Sequence, residues 1–176
     1  MPNDSRPAPD SPERPGPPQS TLSAEQLLTR MLELLSTRRQ ISDVDLDAVR
    51  SLAPDADVDL DGPRLRQIAR LTPQWRYLLQ FDPDEPIGPM LHLEFFDSQG
   101  GVDAPLTEIA HIDLDQFSAR MRTIGFAEQE IADELGGSRG RDFTAGDLRV
   151  TVTSIGEADS PADSVAHRCI RSITVR

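Results

Sequence analysis

The stretch of sequence that decides the fold is residues 75–96, WRYLLQFDPDEPIGPMLHLEFF. It holds five of the eight aromatic side chains of the chain, and no aromatic residue precedes it. Residues 75–81 and 90–96 are rich in the aromatic and branched side chains that strands prefer. Residues 82–89 contain three prolines and a glycine, which are typical of a connection. The stretch therefore predicts two strands joined by a loop.

Toward the C-terminus the pattern predicts one central helix between further strands. A weak third strand is expected over 107–112. Asp113 and Gln116 form a cap signature ahead of apolar residues at helical spacing, and Gly125 is placed to end that helix. A further helical turn or two is expected over 127–135. The remaining strands are expected over 142–144, 148–155 and 167–175.

Before residue 75 the pattern is helical. Ser23 and Gln26 form a capping box ahead of leucines at helical spacing, which predicts a helix over 24–38. Shorter helices are expected over 43–52 and 63–71. The caps of these two helices would be Ser42 and Asp61, and the buried stripe of the second would be Leu65, Ile68 and Leu71.

The first 20 residues have a different composition, because they contain seven of the 15 prolines of the chain. They carry too little apolar surface to offset the entropy of ordering, so we expect a disordered tail over 1–20 and a single domain over 21–176. Helices that precede clustered strands with tight turns predict an α+β domain. The expected architecture is N-terminal helices, then a mostly antiparallel sheet of five or six strands with one central helix packed on it.

Composition excludes several function classes. The chain has 30 acids against 18 bases, a formal net charge of -12, and every base is arginine. The absence of lysine excludes Schiff-base chemistry and a P-loop, and the negative charge disfavours direct binding of nucleic acid. Residues 71–137 hold 13 acids against three arginines, so most of the excess lies in the first strands and the central helix. The sequence contains no run of 18 apolar residues, so no membrane span is expected.

One segment resembles half of a calcium-binding loop. Residues 57–62, DVDLDG, match the first half of an EF-hand loop, which needs oxygen ligands at alternate positions and a glycine at the turn. The second half is missing, because Ile68 stands where the bidentate glutamate belongs. We favour an acidic turn in which Asp61 caps a helix that begins at Pro63.

A second candidate site combines two histidines with two acids. His92 and Glu94 are two residues apart in a predicted strand and therefore share a face, as do His111 and Asp113. If the two strands paired, these side chains could hold zinc or iron. The alternative, which we favour, is the polar face of a half-exposed sheet with Asp113 used as a helix cap.

Two further candidates are weaker. Residues 136–141, GGSRGR, offer backbone amides and two guanidiniums to an anion, but they follow a predicted helix instead of preceding one. A flexible loop is the simpler interpretation. Cys169 lies in the last strand and is expected to be a buried, inert thiol.

The chain is similar to two groups of proteins in size, charge and the coarse order of its elements. These are the small acidic chaperones of bacterial secretion systems and the immunity proteins that neutralise basic toxins. The similarity involves no motif. The concentrated negative charge, the absence of catalytic motifs and the aromatic-rich strands predict a non-catalytic module that binds or neutralises a basic protein, because opposite charge steers association. The predicted contact residues are Asp82, Asp84, Glu85, Glu94 and Asp97.

Two alternatives remain open. One is a metal-dependent enzyme built on His92, Glu94 and His111, and the other is a nucleic-acid mimic that carries its carboxylates along one face. No cofactor is expected for the favoured function. The absence of lysine suggests a GC-rich bacterial source, and a cytoplasmic location is expected. A homodimer is conceivable through edge strands at 75–81 or 167–175.

Overall fold

An eight-stranded antiparallel sheet is the centre of the fold. The computed structural model describes residues 16–109, 113–132, 138–156 and 168–176. The helices are α1 (Ala24–Ser36), α2 (Leu46–Leu52) and α3 (Leu114–Thr123). The strands are β1 (Asp57–Asp61), β2 (Arg64–Arg70), β3 (Trp75–Asp82), β4 (Met90–Asp97), β5 (Ala127–Ala132), β6 (Ser138–Ala145), β7 (Leu148–Ile155) and β8 (Cys169–Val175). Among the described helices, none has the length and apolar character needed to cross a membrane.

The sheet consists of two runs of four strands that lie side by side. The strand order is β1-β2-β3-β4-β8-β7-β6-β5, and every neighbouring pair is antiparallel. The two runs meet where β4 pairs with β8, from Leu91 opposite Val175 to Glu94 opposite Ser172. In the described part of the chain, β1 and β5 are therefore the free edges of the sheet.

The two faces of the sheet differ sharply. On one face, called the inner face, the row Leu79, Leu93, Ile173 and Val152 is buried across four strands. The three helices supply Leu28, Val49, Phe117 and other residues to the same buried cluster. On the opposite, outer face the row Gln80, His92, Thr174 and Thr151 is only half-buried. This alternation follows from the two-residue period of a strand with one face on the core.

The elements with strong local signals are confirmed. Ser23 and Gln26 cap α1 reciprocally, with the Gln26 N–H 3.2 Å from Ser23 Oγ. Asp113 caps α3, and Gly125 follows that helix with φ of 96°. The strands predicted over 75–81 and 90–96 are present as β3 and β4. Helix α2 begins later than expected, because its cap is Asp45 instead of Ser42.

The helix predicted over 63–71 is wrong, because residues 57–70 form a β-hairpin. Asp61 pairs with Arg64 across a two-residue turn in which Gly62 adopts φ of 61°, the sign that such hairpin turns require. Asp61 therefore caps no helix. In β2 the expected apolar stripe is divided: Leu65 is buried on the inner face, whereas Ile68 is half-buried on the outer face.

Two other predicted elements also differ. The described part of the predicted helix at 127–135 is strand β5, which pairs with β6. The weak strand predicted over 107–112 begins as a 3-10 turn at Leu106–Glu108, and residues 110–112 lie outside the described residues. The sheet consequently has eight strands where five or six were expected. The predicted edge strands at 75–81 and 167–175 are wrong as well, because β3 and β8 each pair on both sides.

The last residues of the predicted tail are hydrogen-bonded to the end of β2. The Arg70 N–H donates to Pro18 O at 2.8 Å, and the Ser20 N–H donates to Arg70 O at 2.7 Å. The Gln19 amide also donates to Arg70 O and Leu71 O. Contacts with the sheet thus begin at Pro18, before the predicted start of the domain at residue 21. Residues 1–15 lie outside the described residues, so disorder there stays a prediction.

Candidate functional site

Strand β1 carries a row of carboxylates along the free edge of the sheet. Asp57, Asp59 and Asp61 alternate with Val58 and Leu60, so all three carboxylates lie on the outer face. All three aspartates are exposed. In an extended chain alternate residues are about 6.6 Å apart, and the chain does not curl around an ion as a calcium loop does. The resemblance to a calcium loop is therefore not matched by the structure.

A second group of acids lies at the same end of the sheet, where β3 ends. Asp82 Oδ2 lies 2.8 Å from Arg64 Nε, and Asp82 Oδ1 accepts the Asp84 N–H at 3.0 Å. The next residue, Glu85, is half-buried. A surface pocket of about 390 Å³ lies between this group and β1, and Asp59 and Asp61 belong to its lining.

The carboxylates of these two groups that lie at this end of the sheet form the feature that we call the acidic corner. It combines five carboxylates with the guanidiniums of Arg64, Arg66 and Arg176, the last of which lies 3.3 Å from Met90 Sδ in the pocket lining, a difference of two negative charges. The five carboxylates of the acidic corner are those of Asp59, Asp61, Asp82, Asp84 and Glu85. Because the carboxylates outnumber the guanidiniums, a negative potential extends from this end of the sheet.

Exposed apolar side chains accompany the acids. Leu60 is 50% exposed and Ile87 is 75% exposed, and they are the exposed large hydrophobic residues of the described chain. Leu60 lies on β1, and Ile87 lies in the loop between β3 and β4, at the same end of the sheet. Single exposed apolar residues are ordinary, but here both lie at the same end of the sheet as the acidic corner.

The structure separates the predicted contact residues. Asp82, Asp84 and Glu85 are together at the acidic corner. Glu94 lies on the outer face, where its carboxylate is 3.5 Å from the Arg171 guanidinium. Asp97 is only 5% exposed and holds a loop together. We therefore leave Asp97 out of the candidate surface.

The Asp97 carboxylate organises the turn after β4. Its Oδ1 accepts the N–H groups of Gln99 and Gly101 at 2.8 Å each, and its Oδ2 accepts the N–H of Asp103 at 2.9 Å. Donation by the Gly101 and Asp103 amides lowers the pKa of the Asp97 carboxyl below its usual range, since these bonds stabilise the charged form.

Asp97→Asn is expected to destabilise the fold in a pH-dependent way, because an amide nitrogen would face the Asp103 N–H. The pKa of Asp97 is lower in the folded than in the unfolded chain, where it is about 3.9. The contribution of the Asp97 charge to the free energy of unfolding is therefore complete above the unfolded pKa. It is lost as the pH falls through the folded pKa. Thermal melts should show the largest difference in Tm from the wild type at pH 5–7 and a smaller one below about pH 4.

The exposed Asp103 supplies the matched control, since Asp103→Asn makes the same change of charge in the same loop. Its Tm should follow that of the wild type across the pH range. A constant difference in Tm between Asp97→Asn and wild type from pH 7 to pH 3 would contradict the role given to the Asp97 carboxylate.

The metal-site candidate is only partly described. His92 and Glu94 share the outer face as predicted, with His92 Nε2 3.7 Å from Glu94 Oε2. His92 Nδ1 lies 2.9 Å from Thr174 Oγ1. Asp113 accepts the Gln116 N–H as the cap of α3. His111 lies outside the described residues, within which no three potential ligands cluster, so the metal site stays a prediction.

The two weaker candidates have clear positions. Of the predicted anion loop at 136–141, residues 136 and 137 lie outside the described residues, and Arg141 belongs to β6. Its guanidinium lies 2.9 Å from Glu128 and 2.5 Å from Asp115, so it is already paired with carboxylates. Cys169 is buried in β8, as predicted, and the inertness of its thiol stays a prediction.

Sequence reasoning missed the part of the acidic corner that β1 contributes. The favoured interpretation of residues 57–62 is an acidic turn, because Asp61 stands where it would cap a helix that begins at Pro63. The available signal was the strict alternation of polar and apolar residues over 57–61 and 64–66 around Gly62 and Pro63, which is the pattern of a hairpin. That pattern would have placed three aspartates on one face.

Comparison with known proteins adds no further constraint on the site. No protein-family model, curated protein or solved structure matches this chain.

Proposed function

We propose that this protein is a non-catalytic module that binds a basic partner protein through the acidic corner. The observation that carries the proposal is the coincidence of charge and apolar exposure at one end of the sheet. Five carboxylates against three guanidiniums lie there, together with the exposed Leu60 and Ile87.

The two kinds of side chain support different steps of binding. The net negative charge of the corner accelerates the approach of a basic protein, and this effect weakens as salt shortens the Debye length. Leu60 and Ile87 would lose water contact in a complex, and apolar burial slows dissociation. Asp82 adds less to the negative potential than the other acids, because its carboxylate is already paired with the Arg64 guanidinium.

The biological setting is part of the same proposal. An immunity-like protein that neutralises a basic toxin and a secretion-chaperone-like protein both fit a small acidic binding module. The arginine-only base content supports a GC-rich bacterial source. We propose that this setting is the cytoplasm.

The nucleic-acid mimic has less support. It requires carboxylates in a line along one face, whereas the described acids between residues 71 and 132 lie on several sides. Glu94 is on the outer face, Asp97 is buried in a turn, and Glu128 pairs with Arg141 near α3. This scatter favours a local contact surface such as the acidic corner.

The test is salt-dependent capture by the immobilised full chain from a bacterial lysate, followed by binding of the purified captured protein. A basic protein should be retained at low salt and released as the Debye length falls below about 10 Å. The corner variant combines Asp59→Asn, Asp61→Asn, Asp84→Asn and Glu85→Gln, and it should lose that protein.

A control variant removes the same number of charges at exposed sites elsewhere. Its four substitutions are Glu33→Gln, Asp103→Asn, Glu130→Gln and Asp147→Asn. The control should retain the purified partner with an affinity close to that of the wild type. Equal loss in both variants would mean that only total charge matters, and the acidic corner would then not be the site.

A further inference from the structure

The free edge of β1 has unpaired backbone groups. Asp61 and Arg64 flank a two-residue turn and are therefore a hydrogen-bonded pair of the hairpin. Pair types alternate along antiparallel strands, so the N–H and C=O groups of Val58 and Leu60 point away from β2. In the described part of the chain β1 is the end of the sheet, and these groups face no other strand.

The side chains of this edge define what a neighbouring strand would need. On the outer face β1 presents Asp57, Asp59 and Asp61, and on the inner face it presents Val58 and the half-exposed Leu60. An added strand continues both faces of the sheet, so it would meet carboxylates at every second position and apolar side chains between them.

Strand β2, which pairs with the other side of β1, already has basic residues at alternate positions and an apolar residue between them. Arg66 stands opposite Asp59, Arg64 stands opposite Asp61, and Leu65 stands opposite Leu60. Opposite charges in such cross-strand positions stabilise pairing. The hairpin is thus an internal example of the chemistry that suits the other edge.

We propose that the basic partner binds by adding an antiparallel strand to β1, with arginine or lysine at alternate positions and apolar residues between them. This inference rests on the proposed function and specifies its contact. The partner strand forms backbone hydrogen bonds with Val58 and Leu60, as in other complexes in which a peptide extends a sheet edge. Its basic side chains face the three aspartates.

A second copy of this chain is a poor occupant of the same edge. Two β1 strands in antiparallel pairing would bring aspartates opposite aspartates, and like charges in that position are destabilising. The other free edge, β5, carries Glu128 and Glu130 on the inner face, where β1 presents Val58 and Leu60. Charge complementarity therefore favours a basic strand.

The probe for the test is a fluorescent peptide with the sequence RVRVR between glycines, and the readout is its anisotropy with the full chain at low salt. The β1 variant combines Asp57→Asn, Asp59→Asn and Asp61→Asn. It should bind about tenfold more weakly, the loss expected from three cross-strand ion pairs. A control with Glu33→Gln, Asp103→Asn and Asp147→Asn should bind like the wild type.

A second peptide separates strand addition from simple charge attraction. N-methylation of both valines removes the donors that would meet Val58 and Leu60 but keeps all three positive charges, and it should also weaken binding about tenfold. Equal affinity of the methylated and unmethylated peptides would overturn the proposal. Equal affinity of the β1 variant and the control would overturn it as well.

Competition distinguishes this inference from the proposed function. The RVRVR peptide should displace the purified basic partner from the wild-type chain. A partner that depends on the acidic corner but is not displaced would overturn strand addition alone. A sedimentation result that shows a dimer dissociated by Leu60→Pro, which removes an outward N–H of β1, would assign the edge to a second copy and would also overturn it.

Discussion

Trp75→Ala is expected to lower Tm by about 10 °C or more, the largest effect of any single substitution considered. The Trp75 side chain is 0% exposed at the start of β3, and its Nε1–H donates to Pro105 O at 2.9 Å. Removing a buried tryptophan typically costs about 3–5 kcal/mol, and each kcal/mol shifts Tm by about 2–4 °C in a chain of this size. Far-UV circular dichroism during thermal unfolding measures the change.

Trp75→Phe is the matched control for this prediction. It keeps most of the buried ring but removes the N–H that satisfies Pro105 O, so its Tm should fall between those of the wild type and Trp75→Ala. A Trp75→Ala protein that melts within about 2 °C of the wild type would contradict the packing described for β3.

Gly140→Ala is expected to be the most damaging change that adds a single methyl group. A Cβ at residue 140 would lie 2.0 Å from Val152 O and 3.0 Å from Thr153 Cα, both atoms of the β7 backbone. Neither atom belongs to a flexible side chain, so β6 and β7 would have to separate. We expect a loss of about 2–3 kcal/mol in the free energy of unfolding, measured by chemical denaturation.

The same substitution at Gly16 is the control, because a Cβ there meets nothing within 4 Å. Gly16→Ala should change the free energy of unfolding by less than about 0.5 kcal/mol. If the two variants were equally stable, the close approach of β6 to β7 at Gly140 would be contradicted.

The elements that sequence predicted well are those whose signals are local. Helix α1 has a complete capping box, and β3 and β4 carry dense aromatic and branched residues. Strand β5 shows the opposite case. Its sequence, AEQEIA, consists mainly of helix formers, but pairing with β6 places it in the sheet, so tertiary contacts override propensity.

Only part of the candidate site could be predicted from the sequence. Asp82, Asp84 and Glu85 were predicted because they lie between two evident strands. The contribution of β1 was missed, since an edge strand with one exposed face does not need the apolar residues that usually reveal a strand. The buried role of Asp97 depends on backbone donors several residues later, and composition gives no sign of it.

The meeting of β4 and β8 has a consequence for how the chain folds. The strands of each run follow one another along the chain, so each run can form by local pairing. Joining them brings together residues about 80 positions apart, such as Leu93 and Ile173, and contacts at such separation form slowly. During synthesis the backbone groups of β4 that pair with β8 have no partner strand until β8 has left the ribosome, and an unpaired strand edge of this kind promotes aggregation of the half-finished chain.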